Sequence, residues 1–249
     1  MKPLSPGVCE RYEAEELRLV LFDIDGTFID SGGAGIRSLN LAFEEYFSVK
    51  DAFTGMNLAG KTDIQILREC LTRHGMDDDE RNIAALCVLY VSHLRGHIEN
   101  PGRHLKPGIM EAIEILCTMD DTYLGLLTGN IEEGARIKLD PFGLNRYFPV
   151  GAFGNDHEDR NMLLPVAIER FRVHFGMEIS TRECIVIGDN PRDVDCAKVH
   201  GACSIAVATG PYPYESLTLS GADVVVRDMS EMDYSFIRNF VKEPSVQDP

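Results

Sequence analysis

The sequence predicts an α/β fold whose parallel-sheet core is interrupted once by an all-helical insertion. Two observations carry that expectation. Short apolar, β-branched runs ending at Asp, Thr or Gly alternate with helical patterns from about residue 106 onward. Residues 34–104, by contrast, hold three helical patterns and no convincing strand. Strict strand–helix alternation covers a parallel sheet with helices on both faces and leaves functional residues at the carboxyl ends of its strands. At 249 residues the chain is long enough to bury such a core without staples.

Taken in order, the strands are expected over 17–25, 123–128, 150–154, 184–189, 204–209 and 223–226. Between them, Ile109, Ala112, Ile113 and Leu116 follow the i, i+3, i+4 rule of a helix over 109–119. Less regular helical patterns cover 131–139 and 162–175, with Pro165 tolerable only in a first turn. A short helix over 193–200 is closed by Gly201. In the insertion, one helix carries Ile36, Leu39, Phe43 and Phe47. A second carries Ile64, Leu67 and Leu71 with Gly75 as a stop, and a third Ile83, Leu86, Tyr90 and Leu94. The expected division is therefore a Rossmann-like core of residues 1–33 and 105–249 and a helical domain of residues 34–104. The Gly/Pro/Ser-rich segments 31–35 and 100–107 are the expected hinges, and residues 243–249 an expected frayed end.

Lys and Arg number 24 against 40 Asp and Glu, a net charge of −16 that repels phosphodiester backbones and anionic membranes. Neither a nucleic-acid nor a membrane partner is expected. Residues 1–18 lack the apolar run of a signal sequence, and no stretch has the length of a membrane span. The seven cysteines form no CxxC pair and no zinc-spaced cluster, so they read as reduced, mostly buried residues, which favours the cytoplasm. An acidic protein acting on anionic substrates needs local positive charge, and a metal cation supplies it.

The first strand ends in LFDIDGT, which places Asp23 and Asp25 on one side of an extended chain before a glycine turn. Alone, this is equally an acidic turn. The strand over 184–189 leads into VIGDNPRD, adding Asp189 and Asp193, and its plain alternative is a helix entry capped by Asp189 or Asn190. Adjacent strand ends in a parallel sheet would crowd these carboxylates into one crevice, where they repel unless neutralised. A divalent cation with hard oxygen ligands relieves that, and magnesium suits such a donor set.

With LLTGN between them, these motifs resemble the haloacid dehalogenase-like hydrolases, in particular phosphoglycolate-phosphatase-like members with a helical cap, over residues 17–232. DIDGT fits the family's first motif, Thr128 its second and GDNPRD its acidic fourth. The usual lysine of the third has no simple match. Lys138, inside a helical pattern one element past Thr128, and Arg160, about midway between Thr128 and Asp189, compete for the role, and the family's spacing favours Arg160. Arginine brings a planar fork where lysine brings a point charge.

The resemblance implies that Asp23 attacks phosphorus and Asp25 serves as proton donor and then acceptor. Thr128, Gly129 and Asn130 would hold the transferring phosphoryl group while Arg160 neutralises it. It implies Mg2+ on the Asp23 carboxylate, the Asp25 main-chain carbonyl and Asp189, supported by Asp193. The second aspartate favours phosphate-ester chemistry over dehalogenation. The implied substrate is a small phosphorylated metabolite, phosphoglycolate among the candidates, with specificity in the cap. There, Gly60 and Lys61 of AGKTD are the candidate contacts, against an ordinary helix entry capped by Thr62 or Asp63. His93 and His97, four apart, lack a third metal ligand and read as packed or solvated. The rival readings are a phosphomutase built on the same aspartyl-phosphate and a non-catalytic metal-binding scaffold.

Overall fold

A computed structural model of the chain describes residues 17–240. The end expected to fray at 243–249 and the cysteine at position 9 lie outside the described residues. The core strands are β1 (Arg18–Phe22), β4 (Thr122–Leu127), β5 (Val150–Ala152), β6 (Cys184–Gly188), β7 (Cys203–Val207) and β8 (Val224–Val226). They form one six-stranded sheet in the order β5-β4-β1-β6-β7-β8, with every pairing parallel. All six expected strands are present.

Their near-continuous apolar sequences follow from burial on both faces. In β1, Val20 and Phe22 join one core layer with Ile109, Ile113 and Leu116 of helix α4 (Ile109–Cys117). Leu19 and Leu21 point the other way, to Leu164, Ala167 and Phe171 of α6 (Leu163–Phe175) and Ala197 of α7 (Pro191–Val199). Pro165 sits in the first turn of α6, where it costs no hydrogen bond. Helix α7 begins two residues before the expected start: Asn190 caps it, accepting from the Arg192 N–H at 3.0 Å, with Pro191 in its first turn.

Because β1 is central, with β4 on one side and β6 on the other, the winding direction reverses at its carboxyl end. That is where an open α/β sheet forms its crevice. Over it lie α1 (Ala34–Phe47), α2 (Asp63–Arg73) and α3 (Glu80–His97), which share their own apolar cluster of Leu39, Phe43, Leu67, Leu71, Leu86 and Leu94.

The hinges are more ordered than the sequence suggested. Strand β2 (Ile29–Ser31) pairs antiparallel with β3 (Arg103–Leu105), tying both ends of the insertion into a two-stranded ribbon. With three residues per strand, no period-2 pattern can develop, so Gly and Pro dominate the local signal.

Cys70, Cys184 and Cys196 are buried, whereas Cys117 is exposed and Cys87 half-buried. Among the described residues no helix is long and apolar enough to cross a membrane.

Candidate active site

A cavity of about 370 Å³ opens where the insertion meets the carboxyl ends of β1, β4 and β6. The core contributes Asp23, Asp25, Gly129, Asn130, Arg160 and Asp189 to its wall, and the insertion contributes Gly60 and Lys61. Thr128 and Asp193 stand behind the wall, 0% and 1% exposed. The Thr128 hydroxyl accepts from the Asn130 N–H at 3.3 Å and from Asn130 Nδ2 at 2.9 Å, so it shapes the loop that faces the cavity.

Asp23 follows β1 directly and its N–H donates to the Ile187 carbonyl at 2.9 Å, carrying the sheet pairing one residue further. Its carboxylate, with those of Asp189 and Asp193, forms a buried cluster whose oxygens lie within 4.8 Å of one another. The guanidinium of Arg160 sits against two of them, 3.0 Å from Asp23 Oδ1 and in contact with Asp193 Oδ1. Neither Arg160 Nε nor Asp193 Oδ1 completes a hydrogen bond.

Burial and the charge of Asp23 push the Asp189 carboxyl up, and burial pushes Asp193 up against the pull of Arg160. Burial alone would lower the pKa of Arg160, but the carboxylates of Asp193 and Asp23 outweigh it and hold the cation charged. Three carboxylates against one guanidinium leave an excess of negative charge that a divalent cation cancels. The all-oxygen donors and the incompletely bonded Asp193 Oδ1 both fit a hard cation at this point.

Lys138, the other basic candidate, pairs with Asp25 rather than Asp23. It lies in α5 (Glu132–Leu139), where its ammonium donates to Asp25 Oδ2 and to Asn130 Oδ1, each at 2.5 Å. The two cations thus divide the carboxylates of the first motif, Arg160 taking Asp23 and Lys138 taking Asp25. The sequence carries a signal for the buried lysine: Ile131, Ala135 and Lys138, spaced i, i+4, i+7, lie on one helix face, and all three are buried.

The insertion contacts this loop through bare backbone. A Cβ on Gly129 would fall 2.3 Å from the Lys61 carbonyl, and one on Gly60, at φ 69°, would fall 2.6 Å from Asn190. Thr62 caps α2, accepting from the Gln65 N–H at 3.2 Å, so AGKTD is a helix entry as well as part of the cavity wall. Lys61 is paired with Glu69. His93 bonds Glu45 at 2.8 Å and His97 Nδ1 meets the His93 carbonyl at 2.8 Å, which accounts for both without a metal.

Asp63 is a site residue that sequence reasoning treated only as a cap. Its N–H donates to the Gly129 carbonyl at 2.7 Å and its carboxylate accepts from the Ile131 N–H at 2.9 Å, clasping the loop after β4 from the insertion side. Burial pushes its pKa up to about 6, against Lys138 and the Ile131 N–H, with the charges of Asp25 and Asp23 adding to the rise. Tyr90 of α3 lines the same cavity. The folded protein therefore holds this proton more tightly than the unfolded chain between pH 3.8 and about 6, so its contribution to stability falls as pH rises through that window. Relative to Asp63→Asn, the wild type should lose up to about 3 kcal/mol across it, read by urea unfolding of both proteins at several pH values. A stability difference that stays flat would contradict this.

The chain belongs to the haloacid dehalogenase-like hydrolase family, whose model matches residues 20–207. It is 24% identical over 243 residues to a phosphoglycolate phosphatase of Shigella dysenteriae, spanning 88% of this chain and 92% of that one. It is 26% identical over 219 residues to the pyrophosphatase PpaX of Halalkalibacterium halodurans, spanning 87% and 95%. In fold it is similar to a putative β-phosphoglucomutase from Bacteroides vulgatus, with a TM-score of 0.65 at 22% identity over 93% of each chain.

Proposed function

We propose that the protein is a magnesium-dependent phosphatase that hydrolyses a small phosphate monoester through an aspartyl-phosphate on Asp23. The observation that carries this reading is the pairing of Asp23 with Arg160 at 3.0 Å in a cavity wall that also holds Asp189, with Asp193 behind it. This pairing supports a carboxylate that attacks a phosphoryl group in line while the guanidinium neutralises it.

In the first half-reaction an Asp23 oxygen forms a bond to phosphorus as the ester P–O bond breaks, and Asp25 gives its proton to the departing oxygen. In the second, a water attacks phosphorus, Asp25 takes its proton back from that water, and the Asp23–phosphorus bond breaks to release phosphate. Arg160 and the N–H groups of Gly129 and Asn130 hold the equatorial oxygens. Magnesium, held by Asp23, Asp189 and the Asp25 carbonyl with Asp193 in support, would offset the repulsion between carboxylate and phosphate. The insertion, residues 34–104, acts as the cap that excludes water and reads the rest of the substrate. Lys61 would exchange Glu69 for a substrate carboxylate, which with the similarity to phosphoglycolate phosphatases puts phosphoglycolate at the head of the candidates.

The test is phosphate release from a panel of small monoesters, phosphoglycolate included. Release should fall by about 100-fold or more on chelation and return with added magnesium. Activity indifferent to chelator would contradict the metal assignment. Isomer conversion of a sugar phosphate without phosphate release would replace the phosphatase by a mutase.

A further inference from the structure

Lys138 is 4% exposed, is charged, and has no part in the mechanism above. Its surroundings are specific. The ammonium closes a three-membered ring of hydrogen bonds: Lys138 to Asp25 Oδ2 at 2.5 Å, Lys138 to Asn130 Oδ1 at 2.5 Å, and Asn130 Nδ2 to Asp25 Oδ2 at 2.9 Å. Asn130 in turn is anchored to Thr128 Oγ1 at 2.9 Å, so the ring connects the end of β4 to the end of β1. Both donors meet Oδ2 of Asp25, which leaves Oδ1 as the oxygen able to carry a proton into the cavity. From the insertion, Tyr90 and Asp63 line the same cavity as Lys138. Gly35 of α1 also lies over it, where a Cβ would fall 3.5 Å from Nζ.

We infer that Lys138 is a positioning residue for the acid–base step: with Asn130 it fixes Oδ2 of Asp25 so that Oδ1 faces the leaving oxygen, and the seated insertion completes the enclosure that holds the ammonium there. The inference rests on the phosphatase reading and on Asp25 as its proton donor. Burying an ammonium is costly unless it is paired. Here Asp25 Oδ2 and Asn130 Oδ1, each at 2.5 Å, supply the pairing a buried ammonium needs. A carboxylate held at one oxygen by a fixed cation and a fixed amide cannot rotate between productive and unproductive orientations. Orientation of this kind is worth most when the leaving group is a poor one, because an alkoxide must be protonated as it departs whereas a nitrophenolate need not be.

The experiment compares Lys138→Met with wild type on two esters, p-nitrophenyl phosphate and ethyl phosphate, with folding checked by thermal unfolding. The expected result is a kcat on ethyl phosphate lower by about 100-fold, with little change in KM, while kcat on the aryl ester falls by less than about 5-fold. Lys138→Arg, which keeps the charge but cannot place it on the same point, should show the same bias toward the alkyl ester at a smaller size. It serves as the deciding variant should Lys138→Met not fold. In an Asp25→Asn background, Lys138→Met should cost nothing further on the aryl ester, since its partner is already gone. An equal loss on both esters would overturn the inference and leave Lys138 a structural counter-ion of the seam. A wild type inert toward both esters would instead overturn the phosphatase reading beneath it.

Discussion

Asp23→Asn is expected to lower turnover by about four orders of magnitude or more, the loss typical of removing a covalent nucleophile. The amide preserves the shape of the side chain and the main-chain bond from the Asp23 N–H to Ile187 at 2.9 Å, so the end of β1 stays where it is. It also removes one of three crowded negative charges from the cluster with Asp189 and Asp193. In the absence of metal the variant should therefore unfold at a temperature no lower than that of the wild type. Loss of activity with retained stability separates lost chemistry from lost structure. Near-normal turnover would sink the nucleophile assignment.

Arg160→Ala should produce the second largest loss, about 1000-fold in kcat/KM, because it strips the guanidinium that pairs with Asp23 and that the proposed mechanism uses to neutralise the phosphoryl group. It also leaves Asp23 and Asp193 buried without their cation, so the metal-free variant should be less stable by about 3 kcal/mol. Added magnesium should restore part of that stability without restoring the rate. Lys138→Ala should be milder on p-nitrophenyl phosphate, since Lys138 contacts Asp25 and not Asp23. The reverse order of the two variants would show that the phosphate-facing cation is Lys138.

The core was legible because fully buried parallel strands write themselves as apolar runs, and each one that ends in a candidate site residue ends abruptly. Phe22 gives way to Asp23, Leu127 to Thr128 and Gly188 to Asp189 at the positions where the sheet stops. Strand order was not legible, since nothing in the sequence of β6 says that it pairs with β1 on the side opposite β4. The β2–β3 ribbon escaped because its pairing depends on residues about 70 apart rather than on any local pattern. Asp63 looked like a candidate cap of a helix entry, a place that Thr62 fills, and only the docking of α2 on the loop after β4 reveals its bonds to Gly129 and Ile131. Lys138 and Arg160 could not be separated by spacing alone. The separation is spatial: α5 carries Lys138 to Asp25, and the turn before α6 carries Arg160 to Asp23.

The most direct test of the central claim is to quench the enzyme with acid during turnover of a phosphate monoester, digest it, and locate the acid-stable, hydroxylamine-labile phosphate by mass spectrometry. The account predicts a phosphorylated aspartate at Asp23, absent from Asp23→Asn. Phosphate trapped on another side chain, or turnover in Asp23→Asn at the wild-type rate, would contradict it.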